Sequence, residues 1–156
     1  MTQVQGKLEK VTILFAGDSG DGIQLTGSQF TNNTALYGND LSTFPDFPAE
    51  IRAPLGTLAG VSGFQIHFGS TDVYIPGDQC DVLVVMNAAA LKKNLSRLKA
   101  RGTIIVNTSG FDKRNLRLAG IDDDANPLLN NSLEGFKLHE FDLTKLTRES
   151  LKDSPL

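Results

Sequence analysis

The sequence predicts an α/β fold, a three-layer sandwich in which a mixed, mostly parallel β-sheet carries helices on both faces. Short, nearly continuous apolar runs at residues 11–16, 81–86 and 103–106 are typical of strands buried on both faces of a sheet. Stretches with helical spacing follow the first two runs, and such alternation predicts a parallel or mixed sheet. Residues 44–80 add antiparallel pieces, which distinguish the chain from a regular Rossmann repeat.

Length and composition are those of an ordinary single-domain protein. The 156 residues fit one compact domain, which we assign to residues 11–150, with a tail at 1–10 and the start of a linker at 151–156. A net charge of −3 argues against nucleic-acid binding. The single cysteine, Cys80, excludes a disulfide framework and any iron–sulfur cluster held by this chain alone.

Two features bear on localisation. No apolar stretch reaches the roughly 18 residues that a membrane-spanning helix needs, so we expect no membrane segment. The first ten residues, MTQVQGKLEK, lack the apolar core of a signal peptide. Both features predict a cytoplasmic protein.

The N-terminal half begins with a buried strand and a helix. The apolar run at 11–16 ends at a glycine, and from Ile23 to about Tyr37 apolar and small residues recur at three- and four-residue spacing, which predicts a helix. Residues 39–44 are assigned to a second short strand. Residues 63–68 alternate between apolar and polar side chains, which predicts a half-exposed strand with 71–75 as its hairpin partner.

The C-terminal half repeats the pattern of strand and helix. The buried strand at 81–86 is followed by a predicted helix over 88–100, which the pair Arg101-Gly102 ends as a glycine stop. The next buried strand is at 103–106. A last strand near 137–141 and a short helix from Thr144 complete the predicted elements.

A glycine-rich loop between the first strand and the first helix is the strongest candidate site. Its residues are Gly17, Asp18, Ser19, Gly20, Asp21 and Gly22. Glycines let the backbone approach a ligand, and the first N–H groups of a helix carry partial positive charge. The order G-x-x-G-x-G is neither the dinucleotide pattern nor a P-loop, and the two aspartates repel a bare anion. Two interpretations of this loop remain open. It is either a site for a ligand or partner, or a tight turn that packs the helix on the strand.

The sequence contains no set of catalytic side chains. The loop resembles neither a working serine-protease site nor an α/β-hydrolase elbow, and no nucleophile, base and orienting group can be assembled. Cys80 precedes a buried strand and is interpreted as a small buried hydrophobe. The acidic residues at 122–126 lack the glycine and the glutamate of a calcium loop. The chain taken alone does not look like a complete enzyme.

Four segments together resemble the gamma domain of 2-oxoacid:acceptor (ferredoxin) oxidoreductases, in the form found at the N-terminus of the alpha subunit of 2-oxoglutarate-type enzymes. They are the strand with its glycine turn at 15–23, the loop FPAEIR at 47–52, the strand–helix–strand unit from Cys80 to Asn107, and LTKLT at 143–147. In the second segment Ala53-Pro54 stand where the family has two glycines. The resemblance covers residues 11 to about 154.

The resemblance implies a domain or subunit of an enzyme that oxidatively decarboxylates a 2-oxoacid to its acyl-CoA. It implies a thiamine-binding beta subunit and a pyrimidine-binding domain as partners, and a ferredoxin-type electron acceptor. Thiamine diphosphate and the iron–sulfur cluster are implied in those partners and not in this chain. Family members continue through a linker into the pyrimidine-binding domain, so we expect the chain to be a truncated piece or an incomplete gene product.

The site residues that the resemblance implies are the six loop residues named above together with Glu50 and Arg52. In the family this domain packs over the active site and helps to enclose coenzyme A, and Arg52 suits a carboxylate or a phosphate. An internal ion pair of Arg52 with Glu50 or Asp46 is equally open. Two other functions remain as alternatives: a free-standing nucleotide-binding module that takes NAD or a similar molecule, and a scaffold domain without a ligand.

Overall fold

A computed structural model describes residues 10–18, 20–38, 40–46, 61–70 and 78–152. The strands are β1 (Lys10–Asp18), β2 (Asp40–Asp46), β3 (Val61–Gly69), β4 (Cys80–Val85), β5 (Leu98–Asn107) and β6 (Lys137–Phe141). The helices are α1 (Ile23–Leu36), α2 (Ala88–Asn94), α3 (Lys113–Leu118) and α4 (Leu143–Leu151). No helix of the described residues is long and apolar enough to cross a membrane.

The six described strands form one mixed sheet in the order β2-β3-β1-β4-β5-β6. Strands β1, β4, β5 and β6 pair in parallel, and β3 pairs antiparallel with both β1 and β2. Five of the six strands therefore point the same way and β3 points the other way. The predicted mixed, mostly parallel sheet is confirmed.

The core lies on both faces of this sheet, because successive residues of a strand point to opposite sides. Phe15 belongs to the apolar cluster that includes Ile23 of α1 and Phe64 of β3. Its neighbours Leu14 and Ala16 belong to the cluster on the other side, which contains the apolar residues of α2 and α3. Helices thus cover both faces, and the predicted three-layer sandwich is confirmed.

Helix α1 packs very closely on the sheet at Gly27. A Cβ atom at this position would lie 2.2 Å from carbons of the Phe64 ring, so no larger residue fits without a shift of the ring. Gln24, one turn earlier, donates from its side-chain amide to the Gly63 carbonyl oxygen at 2.8 Å. The bounds predicted for β1, α1 and β2 agree with the structure to within a few residues.

Strand β3 differs from the sequence prediction, because it is buried on both faces and not half-exposed. It lies between β1 and β2, and the polar side chain of Gln65 is only 1% exposed. Arg97 donates from its guanidinium to the Gln65 side-chain oxygen at 2.6 Å, which explains how a polar residue is buried there. The predicted hairpin partner at 71–75 lies outside the described residues.

The helix predicted over 88–100 is also wrong at its C-terminal end. Helix α2 ends at Asn94, a single 3₁₀ turn follows at Leu95–Arg97, and β5 begins at Leu98. Arg101 and Gly102 therefore lie within β5 and do not stop a helix. The pairing of β4 with β5 shifts register between Cys80 and Val82, and Arg101 has a φ of 61° at this irregularity.

Candidate functional site at the carboxyl edge of the sheet

The glycine loop lies where the direction of the chain crossovers changes. From β1 the chain passes through α1 toward β2 on one side of the sheet, and from β4 it passes through α2 to β5 on the other side. The ends of β1 and β4 are adjacent, since the Met86 N–H donates to the Ala16 carbonyl oxygen at 3.0 Å. Ligands of open α/β sheets bind in the crevice outside such a switch point.

The three glycines of the loop have different reasons to be glycine. A Cβ atom at Gly17 would lie 2.7 Å from the Asp21 carboxylate and 3.0 Å from the Met86 Cβ, so the backbone is enclosed there. Gly22 precedes α1 with a left-handed φ of 69°, which favours glycine. A Cβ atom at Gly20 would meet nothing within 4 Å, so the middle of the loop faces open space.

Asp21 closes the turn of the glycine loop through two hydrogen bonds with the backbone of Asp18. Its Oδ2 accepts a hydrogen bond of 2.7 Å from the Asp18 N–H, and the Asp21 N–H donates to the Asp18 carbonyl oxygen at 3.0 Å. Partial burial raises the pKa of the Asp21 carboxyl, the hydrogen bond from the Asp18 backbone opposes that shift, and the negative charge of Asp18 adds to it.

Asn87 ties this loop to the neighbouring helix. Its side-chain Nδ2 donates to the Asp18 Oδ1 at 3.0 Å, and its Oδ1 accepts from the Ala90 N–H at 2.9 Å, which caps α2. Asn87 is buried, whereas Asp18 is exposed at the edge. In the sequence nothing singles out Asn87, which lies inside the resemblance segment from Cys80 to Asn107. Its partner Asp18 is 69 positions away, so no local pattern reveals the pair.

The same edge continues across β5 and the start of α4. Asn107, at the end of β5, accepts at Oδ1 from the Leu143 N–H at 3.0 Å. Ser109 donates its hydroxyl to the Asp142 Oδ1 at 2.6 Å, and that carboxylate also caps α4. The Ser109 bond is the main reason why the pKa of Asp142 is held below its usual value, and the bond from the Lys145 N–H acts in the same direction.

The structure brings together most of the predicted loop and leaves three predicted residues undecided. Gly17, Asp18, Gly20, Asp21 and Gly22 form the turn at the carboxyl edge as the sequence indicates. Ser19, Glu50 and Arg52 lie outside the described residues, and so does any pairing of Arg52 with Glu50.

The described side chains are better suited to binding a ligand than to catalysing a reaction. Burial raises the pKa of the Cys80 thiol to about 11, so this cysteine is an inert part of the core. No group of three or more metal-ligating side chains occurs in the described ranges. A ligand at the carboxyl edge of the sheet would contact the open glycine turn and the exposed Asp18 carboxylate beside it.

The arrangement also differs from that of a dinucleotide-binding domain. Strand β2 ends in an acidic residue, Asp46, two residues beyond the end predicted from the sequence. Strand β3, however, lies between β1 and β2, so Asp46 does not end the strand next to the glycine loop. In a dinucleotide fold the acidic residue that contacts the ribose follows the strand adjacent to β1.

Comparisons with known proteins agree with this geometry. Residues 12–156 match the family described as "Pyruvate ferredoxin/flavodoxin oxidoreductase". The chain is 53% identical over 141 residues to the 2-oxoglutarate oxidoreductase subunit KorA of Mycobacterium tuberculosis, which covers 90% of this chain and 21% of that protein.

Solved structures show the same fold. A 2-oxoglutarate:ferredoxin oxidoreductase from Magnetococcus marinus, with 2-oxoglutarate, coenzyme A and succinyl-CoA bound, aligns with a TM-score of 0.69 at 24% identity, over 92% of this chain and 22% of that one. The gamma subunit of a keto/oxoacid ferredoxin oxidoreductase from Geobacter sulfurreducens aligns with a TM-score of 0.59 at 18% identity, over 90% of this chain and 66% of that one.

The pyruvate oxidoreductase subunit PORC of Thermotoga maritima aligns with a TM-score of 0.60 at 17% identity, over 93% of this chain and 68% of that one. The chain thus spans about a fifth of the length of the Mycobacterium and Magnetococcus relatives and about two thirds of the two subunits. Since the family match extends over almost all of its residues, the chain belongs to the pyruvate ferredoxin/flavodoxin oxidoreductase family.

Proposed function

We propose that the chain is a non-catalytic domain or subunit of a 2-oxoacid:ferredoxin oxidoreductase. In that reaction the 2-oxoacid loses carbon dioxide, its acyl group passes to the thiol of coenzyme A, and two electrons pass to a ferredoxin-type acceptor. The observation that carries the proposal is the 53% identity to the 2-oxoglutarate oxidoreductase subunit over 141 residues. The carboxyl edge of the sheet is the surface that we expect to pack over the active site.

The chemistry of the described residues fits a role beside the reaction centre. The chain has one cysteine, and Cys80 is buried with a raised pKa, so this chain does not suit an iron–sulfur cluster. We assign thiamine diphosphate to a thiamine-binding beta subunit together with a pyrimidine-binding domain, and the cluster to the same partners. Thiamine diphosphate supplies the group on which the 2-oxoacid is decarboxylated.

The glycine loop fits the uncharged part of coenzyme A better than its phosphates. Asp18 and Asp21 stand at the open turn around Gly20, and two carboxylates disfavour an anion there. The pantetheine arm carries amide N–H groups and a hydroxyl group, which can donate to the exposed Asp18 carboxylate. We assign the phosphate end of coenzyme A to the sequence segment that carries Glu50 and Arg52, because a guanidinium suits a phosphate.

The first test is assembly. A tagged form of the chain is purified from its native extract, and the eluate is assayed for thiamine diphosphate, for iron–sulfur absorbance and for acyl-CoA formation with a 2-oxoacid. We expect a thiamine-binding partner at near-equal stoichiometry and activity in the eluate. Recovery of the chain alone, together with saturable NAD binding, would favour the nucleotide-binding alternative. Recovery alone without any ligand would favour the scaffold.

The second test separates binding of coenzyme A from assembly. In the assembled enzyme, Asp18→Ala removes the carboxylate and is expected to raise the KM for coenzyme A about fivefold, as for the loss of one hydrogen bond, with the KM for the 2-oxoacid unchanged. Asp124→Ala, which removes an exposed carboxylate from another loop, is the matched control. Arg52→Ala is expected to slow acyl-CoA formation. Unchanged kinetics in the Asp18 and Arg52 variants would contradict the contact with coenzyme A.

A further inference from the structure

Asn87 forms a hydrogen bond at each end of its side-chain amide, and the two bonds fix which end faces the glycine loop. Its Oδ1 accepts from the Ala90 N–H at 2.9 Å, and its Nδ2 donates to the Asp18 Oδ1 at 3.0 Å. A backbone N–H can only donate, and a carboxylate can only accept. A flipped amide would place two donors together and two acceptors together, so one orientation of the Asn87 side chain satisfies both partners.

Helix capping alone does not explain why an asparagine stands at position 87. Asp112 caps α3 and Asp142 caps α4, each through a carboxylate that accepts from the helix backbone. Aspartate caps a helix about as well as asparagine does. Asparagine adds an N–H donor to the capping acceptor, and here that donor is used on Asp18.

The surroundings of Asn87 hold its side chain in place. The residue is 8% exposed, and the helix that it caps is anchored in the core by Ala88 and Ala90, which are fully buried. A Cβ atom at Gly110 would lie 2.7 Å from the Asn87 Cα, so the segment after β5 packs directly against the backbone of Asn87. Asp18, in contrast, is exposed at the edge of the sheet. A fixed and buried donor thus holds one oxygen of an exposed carboxylate.

The bond to Asn87 prepares the Asp18 carboxylate for a ligand. An exposed side chain that becomes fixed only when a ligand binds loses conformational entropy, and this loss weakens binding. Because Asn87 already holds the Asp18 Oδ1, the loss is smaller. The Asp18 Oδ2 is the oxygen that we assign to the ligand.

From these contacts we infer that Asn87 is a positioning residue for coenzyme A. It orients the Asp18 carboxylate toward an amide N–H of the pantetheine arm and acts on the coenzyme only through that carboxylate. The inference rests on the proposed contact between Asp18 and coenzyme A.

The variant Asn87→Asp in the assembled enzyme separates positioning from capping. The new carboxylate can still accept the Ala90 N–H, but its second oxygen faces the Asp18 carboxylate at close range, and like charges repel. We expect the KM for coenzyme A to rise about fivefold, as for Asp18→Ala. The kcat at saturating coenzyme A and the KM for the 2-oxoacid are expected to stay unchanged. Gel filtration checks that the variant enzyme is assembled.

The double variant Asp18→Ala with Asn87→Asp tests whether Asn87 acts through Asp18. Without a carboxylate at position 18 there is nothing to orient, so the double variant is expected to have the same KM for coenzyme A as Asp18→Ala alone. Asp112→Ala is the matched control, because it removes the cap of α3, where the Asp112 Oδ1 accepts the Asn115 N–H at 2.8 Å. It is expected to leave the KM for coenzyme A unchanged.

The outcomes distinguish this inference from the proposed function. If Asp18→Ala raises the KM for coenzyme A and Asn87→Asp does not, the positioning role is overturned and the contact of Asp18 with coenzyme A stands. The positioning role is also overturned if the two increases multiply in the double variant, or if Asp112→Ala raises this KM equally. An unchanged KM in Asp18→Ala would contradict the contact itself, and the inference with it.

Discussion

At the scale of single residues, the three glycines of the glycine loop have different structural roles although they lie within six positions of each other. Gly17 is enclosed by side chains of the loop, of α1 and of the segment after β4, whereas Gly20 faces open space. Gly22 is required for its left-handed backbone. A side chain at Gly17 would disturb the packing of the loop, and a side chain at Gly22 would strain its backbone. Gly20 is the loop glycine whose replacement meets neither obstacle, so its open side is available to a ligand.

We expect Gly17→Ala to lower the free energy of unfolding by about 1–3 kcal/mol, the usual cost of an extra methyl group in a packed site. The new Cβ would lie 2.7 Å from the Asp21 carboxylate and 3.0 Å from Ile23 and Met86. Urea unfolding followed by circular dichroism measures the change.

The matched control is Gly20→Ala in the same loop. No atom lies within 4 Å of the added methyl group, and Gly20 has no left-handed φ. This variant is expected to be neutral or to gain up to about 1 kcal/mol through a less flexible unfolded chain. Equal destabilisation by both substitutions would contradict the distinction between an enclosed and an open glycine.

The residues of the site were only partly predictable. The turn after β1 carries a local signal, because three glycines follow a buried apolar run and precede a helical pattern. The pairing of Asn87 with Asp18 carries none, since it joins residues 69 positions apart and depends on the parallel pairing of β1 with β4. The roles of Glu50 and Arg52 rest on the resemblance alone and stay predictions.

At the scale of elements, the errors of sequence-based prediction occur where tertiary contacts override a local pattern. Residues 95–100 continue a helical pattern, but Leu98 is buried as the start of β5 and Cys80 pairs with it. Alternation in β3 suggested one exposed face, but a guanidinium from Arg97 allows Gln65 to be buried. Strand β6 has the predicted bounds, and helix α4 begins one residue before its predicted start at Thr144, because both elements follow their local patterns.

Helix α4 gives a prediction about pH at this scale. The Asp142 carboxylate caps the helix and accepts the Ser109 hydroxyl, and both bonds lower its pKa from 3.8. A carboxyl group with a lowered pKa stabilises the folded state above its unfolded pKa, and this contribution disappears as the pH falls through the folded value. We expect Ser109→Ala to lower the melting temperature near pH 7 and to have progressively less effect below about pH 4.

Ser150→Ala provides the control, because the Ser150 hydroxyl donates to a backbone carbonyl oxygen, that of Leu146, and not to a carboxylate. Its effect on the melting temperature should not depend on pH. Thermal unfolding of both variants across the acidic range measures the difference. A Ser109→Ala effect of the same size at every pH would show that the hydroxyl does not act through Asp142.

At the scale of the whole molecule, the two halves of the sheet meet between β1 and β4, and side chains join them at both ends of this seam. At the carboxyl end Asn87 binds Asp18. At the amino end the Asp81 carboxylate accepts the Thr12 backbone N–H at 2.9 Å and pairs with Lys99 at 2.7 Å. One carboxylate thus joins β1, β4 and β5, next to the irregularity in the pairing of β4 with β5.

The last prediction separates the two bonds of Asp81. Asp81→Ala is expected to lower the free energy of unfolding by about 1–2 kcal/mol, because the buried Thr12 N–H loses its partner. Lys99→Ala removes only a half-exposed ion pair and is expected to cost about 0.5 kcal/mol or less. Urea unfolding of both single variants and of the double variant gives the coupling between the two residues. If Lys99→Ala were as costly as Asp81→Ala, the ion pair and not the backbone hydrogen bond would hold this end of the seam.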